Sequence, residues 1–165
     1  MNNRLNAGKN SKSGFTMIEL MIVVVIIGIL AAMAAPRIFG SIPKMKAKAE
    51  ARNILNGLRI ARGMAISEGQ QFGVYVNGSN RQYYVFKDRV NPSLLTFEVG
   101  DSIVTGPNVL EGDVVIASSS LVNNCVIFYP TGAASQSASV TVNTYSGSAT
   151  YTVSILASTG KTKMQ

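Results

Sequence analysis

A single carboxylate, Glu19, lies within an apolar stretch that covers residues 15–35. A charged side chain inside a bilayer costs at least about 2.5 kcal/mol on insertion scales, so such residues are usually kept for a function and have a partner. The chemistry predicted for Glu19 is ion pairing in apolar surroundings, because a buried carboxylate needs a cation beside it. Glu19 is therefore the first candidate site residue.

Two ordinary kinds of N-terminal segment also contain such a stretch. A secretory signal begins with basic residues, but its apolar part is usually about 7 to 15 residues long, and here Pro36 would directly follow a cut after Ala35. A plain membrane anchor fits the length better, because a helix over residues 15–35 would be about 31 Å long. Neither interpretation explains the charge of Glu19.

Residues 12–20, which read KSGFTMIEL, resemble the processing site of type IV prepilins and type II secretion pseudopilins. In that family a short basic leader is cut after the glycine, and the new N-terminal phenylalanine is methylated. The resemblance implies that prepilin peptidase removes residues 1–14 by cutting between Gly14 and Phe15. It also implies that Phe15 becomes N-methylated, and that Glu19 pairs with a terminal ammonium during filament assembly.

Basic residues are concentrated on either side of the apolar stretch. The net charge is +7, and residues 1–14 carry three bases and no acid. Residues 37–62 carry seven bases and one acid, whereas residues 63–165 carry five bases and six acids. A basic leader before a span predicts a single-pass protein with a cytoplasmic N-terminus. The resemblance implies that the protein is stored in the inner membrane and later enters a periplasmic or extracellular filament. The bases within residues 37–62 would then contact lipid headgroups or acidic groups of neighbouring subunits.

A helical stem is predicted over residues 15–68. Residues 15–35 would form a transmembrane or filament-core helix, and residues 36–68 an amphipathic helix. A heptad-like stripe runs along the second part, with apolar residues at spacings of three and four: Ala47, Ala51, Ile54, Leu58, Ala61 and Ala65. Pro36 predicts a bend or a melted stretch, because proline removes a helical hydrogen bond.

Residues 69–165 have the composition and alternation of a β-rich head. Seven strands are predicted, at residues 72–76, 82–86, 94–99, 114–117, 125–129, 139–145 and 150–156. Residues 77–80 predict a hairpin turn between the first two strands. The fold class is therefore α+β and pilin-like, with a long N-terminal helix packed on a C-terminal antiparallel β-sheet domain.

The order of helix, strand meander and a segment containing Phe128, Pro130 and Gly132 resembles the GspH/FimT group of minor pseudopilins and minor pilins. This resemblance implies a structural subunit, in the first place a minor pseudopilin of a type II secretion pseudopilus that takes part in protein secretion. A minor type IV pilin and a major pilin are the alternatives within the class, and a permanently anchored β-domain protein lies outside it. The implied partners are other pilin or pseudopilin subunits.

The C-terminal residues 160–163, which read GKTK, resemble the Gly-Arg-x-Arg tail with which some FimT-like minor pilins bind DNA for natural transformation. Lys161 and Lys163 occupy the arginine positions and are the candidate DNA contacts. Lysine offers a point charge in place of the guanidinium fork, and a solvated basic tail is the alternative interpretation. Nucleic acid is thus a second candidate partner.

Catalysis is not predicted. With no histidine and a single cysteine, the sequence excludes histidine-based metal sites, Ser-His-acid triads and Cys-His dyads. No cofactor or metal is predicted, and Cys125 is expected to be a buried structural thiol. The spacing of the acids in the head marks no acid–base pair, and all five are expected to be solvated: Asp88, Glu98, Asp101, Glu111 and Asp113.

Overall fold

The computed structural model describes residues 14–165, and of residues 35–40 the backbone alone. Residues 1–13, which make up the predicted leader without Gly14, lie outside the described residues. The chain divides into two compact units, Met1–Phe39 and Gly40–Gln165. The described part of the first unit contains the start of a long helix, α1 (Met17–Glu68), and the second unit contains the rest of α1 and all of the strands.

Eight strands in two antiparallel sheets follow the helix in the described residues: β1 (Phe72–Asn77), β2 (Gln82–Lys87), β3 (Ser102–Val109), β4 (Val114–Ser119), β5 (Cys125–Phe128), β6 (Ala138–Thr144), β7 (Thr150–Leu156) and β8 (Lys161–Met164). The first sheet has the order β3-β2-β1-β5 and the second β4-β6-β7-β8. The predicted α+β fold is confirmed.

The backbone of α1 is helical through Pro36 and Pro43, so the predicted melted stretch is absent from this structure. A proline inside a helix removes one hydrogen bond, yet its fixed φ is compatible with helical geometry. The backbone therefore stays helical on both sides of each proline. Helix α1 ends at Glu68, and Gly69 follows with the positive φ (64°) that is common after a helix C-terminus.

The predicted apolar stripe of α1 is confirmed as the face that packs on the sheets. All six of its residues are at most 1% exposed: Ala47, Ala51, Ile54, Leu58, Ala61 and Ala65. Most of them are alanines, which lets the helix approach the sheets closely while Ile54 and Leu58 supply most of the apolar volume. They join one core with side chains from both sheets, including Phe72, Val85 and Val140.

The first sheet is buried on both faces at strands β1, β2 and β5, whereas its edge strand β3 is exposed. Its inner face packs against α1, and a second apolar cluster of Phe86, Cys125 and Ile127 lies on its outer face. Leu95 and Phe97 pack on this cluster, so residues of the β2–β3 connection cover the outer face. Phe97 lies 4.9 Å from Phe86 in an edge-on arrangement, measured between the ring centroids.

Strand predictions fail in three places, and each failure has a physical reason. Residues 94–99 are mostly apolar but form no strand, because Leu95 and Phe97 turn onto the first sheet, and Leu95 has a positive φ of 52° that no strand contains. Strand β3 was missed because Gly106 and Pro107 resemble a turn, although proline is tolerated on an edge strand. Strand β8 was missed because it is short and polar.

The remaining strand predictions hold. Strands β1 and β2 form the predicted hairpin, in which Asn77 pairs with Gln82. Its turn is closed by Asn80, whose backbone N–H donates to the side chain of Asn77 at 3.0 Å. In the second sheet β6 alternates between buried and half-buried residues along its whole length, as expected for a strand with one face in the core.

Candidate functional site

The start of α1 presents an acid at the N-terminal end of the apolar segment. Thr16 caps the helix, because its side-chain oxygen accepts a hydrogen bond from the backbone N–H of Glu19 at 3.2 Å. Glu19 lies in the first helical turn and is exposed, and Phe15 is 82% exposed. A carboxylate at this point also interacts favourably with the helix dipole, an effect of about 0.3–1 kcal/mol.

The helical surface that follows Glu19 is apolar on every side. The segment Met17–Ala34 is long and apolar enough to cross a membrane, and none of it is buried within the chain. Its large side chains are about half exposed or more, from 47% for Val23 to 83% for Met17. A helix that is apolar all around requires apolar surroundings, which a bilayer or neighbouring helices provide.

The candidate DNA residues Lys161 and Lys163 lie on β8, an edge strand, and not on a free tail. Both side chains are exposed on the same face of the strand, whereas Thr162 and Met164 point the other way and are half-buried. Lys161 lines a cleft of about 610 Å³ together with Arg59 and other residues, but Lys163 does not. The other lining residues of this basic cleft are Arg62, Gly63, Thr159, Gly160 and Thr162.

Three backbone segments meet beside the basic cleft. The Arg62 Nε–H donates to the carbonyl oxygen of Gly132 at 2.9 Å, which joins α1 to the turn after β5. Gly132 and Gly160 both have positive φ, 82° and 60°. A Cβ atom on Gly160 would collide with the carbonyl oxygen of Gly132, so only glycine fits there. Arg62 therefore has a structural role in addition to its place in the cleft.

Asp88 corrects the expectation that the five acids of the head are solvated. It is only 5% exposed, and its Oδ2 atom has no hydrogen-bond partner among the described residues. Burial, together with the charges of Asp101 and Glu98, raises the pKa of the Asp88 carboxyl from 3.8 to about 6. Asp101 has a structural role, because its carboxylate accepts hydrogen bonds from the backbone N–H groups of Arg89, Val90 and Glu98.

The thiol of Cys125 is confirmed as a buried structural group. The residue is fully buried on the outer face of the first sheet, and burial, together with the nearby charges of Asp88 and Asp101, raises the pKa of the thiol to about 12. A thiol with so high a pKa is a poor nucleophile. Among the described residues, no group of three or more histidine, cysteine or acidic side chains is arranged to hold a metal ion.

Some of these site residues were not found by sequence reasoning. Arg59 and Arg62 stand three positions apart on α1, a spacing that places them on one side of a helix and was available as a signal. Their proximity to Lys161 was not available, because about a hundred residues separate them in the chain. For Asp88, nothing in its neighbourhood in the sequence distinguishes it from a surface acid.

Two family models match the chain. Residues 50–159 match "Type II transport protein GspH", and residues 9–35 match "Prokaryotic N-terminal methylation motif". The first match covers the last part of α1, residues 50–68, and the strands β1 to β7. The second covers the segment with Gly14, Phe15 and Glu19.

Solved structures with the same fold include two filament proteins. The minor pseudopilin EpsH of the Vibrio cholerae type 2 secretion system has a TM-score of 0.56 at 15% identity, over 73% of this chain and 96% of that one. The type IV minor pilin FimU of Pseudomonas aeruginosa has a TM-score of 0.58 at 9% identity, over 74% of this chain and 90% of that one. At these identities the similarity shows the fold.

Curated relatives match over shorter stretches. The type IV major fimbrial protein FimA of Dichelobacter nodosus is 36% identical over 101 residues, which are 56% of this chain and 62% of that protein. The type IV major pilin PilA of Myxococcus xanthus is 44% identical over 64 residues, which are 39% of this chain and 29% of that protein. The chain therefore spans less than two thirds of the length of each of these relatives.

Proposed function

The chain belongs to the family of type II transport protein GspH, and on that premise we propose that it is a minor structural subunit of a pilin-like filament. The filament we favour is a type II secretion pseudopilus, which takes part in protein secretion. The precursor is held in the inner membrane with its N-terminus in the cytoplasm. A prepilin peptidase then cuts it between Gly14 and Phe15, and a methyltransferase modifies Phe15.

The observation that carries this proposal is the apolar surface of Met17–Ala34, none of which is buried within the chain and which lies within the methylation motif. A subunit that leaves the bilayer must exchange lipid for another apolar environment, and a bundle of neighbouring stems supplies one. Head-to-tail contacts between such subunits do not close into a ring, so they extend into a filament. The β-rich heads then cover the outside.

Glu19 sets the register of that bundle. Its carboxylate, exposed at the first turn of α1, becomes buried among apolar stems and pairs with the terminal ammonium of a neighbouring Phe15. Removing one partner of a buried ion pair typically costs about 3–5 kcal/mol, because the remaining charge is left without compensation. A stem that packs out of register therefore has a large energetic penalty.

The mature N-terminus tests the proposal directly. We expect mass spectrometry of the chain from sheared filaments to identify Phe15 as the first residue, carrying an added methyl group. An intact leader would favour a permanent anchor, and a cut after Ala35 would indicate an ordinary secretory signal; either result contradicts the proposal.

The phenotype of a deletion strain separates the filaments within the class. If the chain belongs to a pseudopilus, its loss stops exoprotein secretion while twitching motility persists. Loss of twitching with normal secretion would assign it to a type IV pilus, as a minor or a major pilin according to its abundance in the filament.

DNA binding by a FimT-like minor pilin is the second candidate, and the basic cleft is the observation that favours it. Arg59 and Lys161 line one open cleft, and Lys163 lies on the same face of β8 as Lys161. Phosphate contacts of this kind give affinity that is independent of base sequence and falls steeply with salt. The cleft contributes no aromatic side chain on which bases would stack, so contact would be through the backbone of the nucleic acid.

Gel shifts at two salt concentrations test this second candidate. If the cleft binds DNA, the triple variant Arg59→Ala, Lys161→Ala, Lys163→Ala should weaken binding at low salt by about 10-fold or more, and the salt dependence should become shallower by about one unit per lost phosphate contact. Arg62 is left unchanged because it holds Gly132. Arg52→Ala, on an exposed position of α1, is the matched control. Equal binding by the native chain and the triple variant would exclude the cleft.

A further inference from the structure

A second cleft, of about 420 Å³, lies where α1 ends and β1 begins, and we call it the Asp88 cleft. It is lined by Gly69, Gln70, Gln71, Asp88, Arg89, Pro92 and Pro130. Two of its side chains have buried oxygen atoms without a hydrogen-bond partner among the described residues, Oδ2 of Asp88 and Oε1 of Gln71. Buried polar atoms are nearly always paired in native proteins, so two such acceptors in one cleft indicate a missing donor.

The acceptors of the Asp88 cleft favour a positively charged donor. Asp88 is 5% exposed, and the carboxylates of Asp101 and Glu98 add negative charge around it. A buried carboxylate without a partner is unfavourable, and an ammonium or guanidinium group removes that penalty by pairing with it. The end torsions of aspartate and glutamine are soft, so both oxygens turn readily towards a donor in the cleft.

The walls of the cleft fit a long basic side chain better than a metal ion. Asp88 is the single carboxylate that lines it, and no acidic cluster suited to a metal is found in the described residues. Pro92 and Pro130 supply apolar wall surface. Lysine and arginine carry an apolar stem with a charge at its end, which matches apolar walls with an acid between them.

Basic side chains of this kind are abundant on the stem of the chain itself. Arg62 donates to Gly132, but among the described residues no base of the stem forms an ion pair, and the ion pair found there joins Lys87 to Glu68. The exposed bases of the second unit's helix are Lys44, Lys46, Lys48, Arg52 and Arg59. In the proposed filament, where stems pack side by side, these exposed charges are available to pair with an acid of a neighbouring subunit.

We propose that the Asp88 cleft receives a lysine or arginine side chain from the stem of a neighbouring filament subunit, which pairs with Asp88 and Gln71. This contact rests on the proposed function, since it requires a filament. It gives the end of α1 a specific, charge-selective contact with the next subunit, in addition to the packing of the apolar segments. It also explains why Asp88 is unpaired within the single chain.

The test compares filament incorporation of two full-length variants with that of the native chain. Asp88→Asn keeps the size of the side chain and removes its charge, and we expect at least a 10-fold lower fraction in sheared filaments at equal membrane level. Asp113→Asn, at an exposed acid outside the cleft, is the matched control and should stay within 2-fold of native.

Thermal unfolding of the detergent-solubilised chain separates pairing between subunits from a structural role. The folded chain holds the Asp88 proton more tightly than the unfolded chain, since the pKa is raised to about 6. The melting temperature of the native chain, relative to that of Asp88→Asn, should therefore be highest below pH 4 and should fall as the pH rises through about 6. At pH 7 the variant should melt no lower than the native chain. A lower melting temperature would mean that Asp88 stabilises the subunit itself, and it would overturn the proposal.

A photo-crosslinking residue at exposed Gln70 identifies the donor. We expect a crosslink to a peptide of a neighbouring subunit that contains lysine or arginine, and its loss in Asp88→Asn. Normal incorporation of Asp88→Asn would show that no donor from a neighbouring subunit is needed in the cleft, and it would overturn the proposal. If the native chain itself fails to enter filaments, the proposed function fails instead.

Discussion

Replacing Glu19 by glutamine or leucine is expected to lower incorporation into filaments by about 100- to 4000-fold. The estimate follows from the cost of about 3–5 kcal/mol for breaking a buried ion pair, because about 1.4 kcal/mol corresponds to a factor of ten. Leucine should not reduce the amount of precursor in the membrane, since it removes a charge from an apolar segment. The measurement is the fraction of the chain in sheared filaments, divided by its level in membranes.

The size of the effect decides what Glu19 does. A carboxylate that only complements the helix dipole is worth about 0.3–1 kcal/mol, so its removal would reduce incorporation by no more than about 5-fold. Met17→Leu, a neutral change in the same turn, is the matched control and should incorporate normally. If glutamine at position 19 were incorporated at more than a tenth of the native level, an ion pair with a neighbouring N-terminus would not be needed.

Gly160→Ala is expected to destabilise the head by at least about 3 kcal/mol. A residue other than glycine with a left-handed backbone costs about 1–2 kcal/mol, and the added Cβ would collide with the carbonyl oxygen of Gly132. Relieving that collision must move the turn after β5, which weakens the hydrogen bond from Arg62 to Gly132. The free energy of unfolding, measured by urea titration of the solubilised chain, checks this prediction.

Gly147→Ala provides the control for backbone conformation alone. Gly147 also has a positive φ, 70°, but a Cβ atom there would meet no other atom within 4 Å. We expect a loss of only about 1–2 kcal/mol for this variant, from the left-handed backbone itself. If the two alanine variants lost equal stability, the close contact between Gly160 and Gly132 would contribute nothing to the stability of the head.

The contact between Gly132 and Gly160 also gives a physical reason for two glycines that lie far apart in the sequence. Gly132 closes the segment that begins with Phe128, and Gly160 begins the basic C-terminal segment. In the fold the two glycines lie in contact, and Arg62 of α1 donates a hydrogen bond to the carbonyl oxygen of Gly132. This contact holds the start of β8 close to α1, so it also positions Lys161 in the basic cleft.

Several parts of this protein follow from local pattern in its amino-acid sequence. The apolar span with Glu19, the stripe from Ala47 to Ala65, the β1–β2 hairpin and the alternation of β6 can all be identified within short windows. Helix and strand periodicities of 3.6 and 2 residues dictate which side chains share a face, whatever the rest of the chain does. For that reason the α+β class and the buried helix face were predictable.

Contacts between residues far apart in the chain depend on the tertiary structure. Residues 94–99 cover the first sheet instead of forming a strand, because Leu95 and Phe97 bury its outer face with Phe86 and Ile127. The polar β8 became a strand because β7 offered it an edge to pair with. Likewise, the burial of Asp88 depends on contacts far apart in the chain. Pairing and burial are properties of the assembled fold, and no local pattern encodes them.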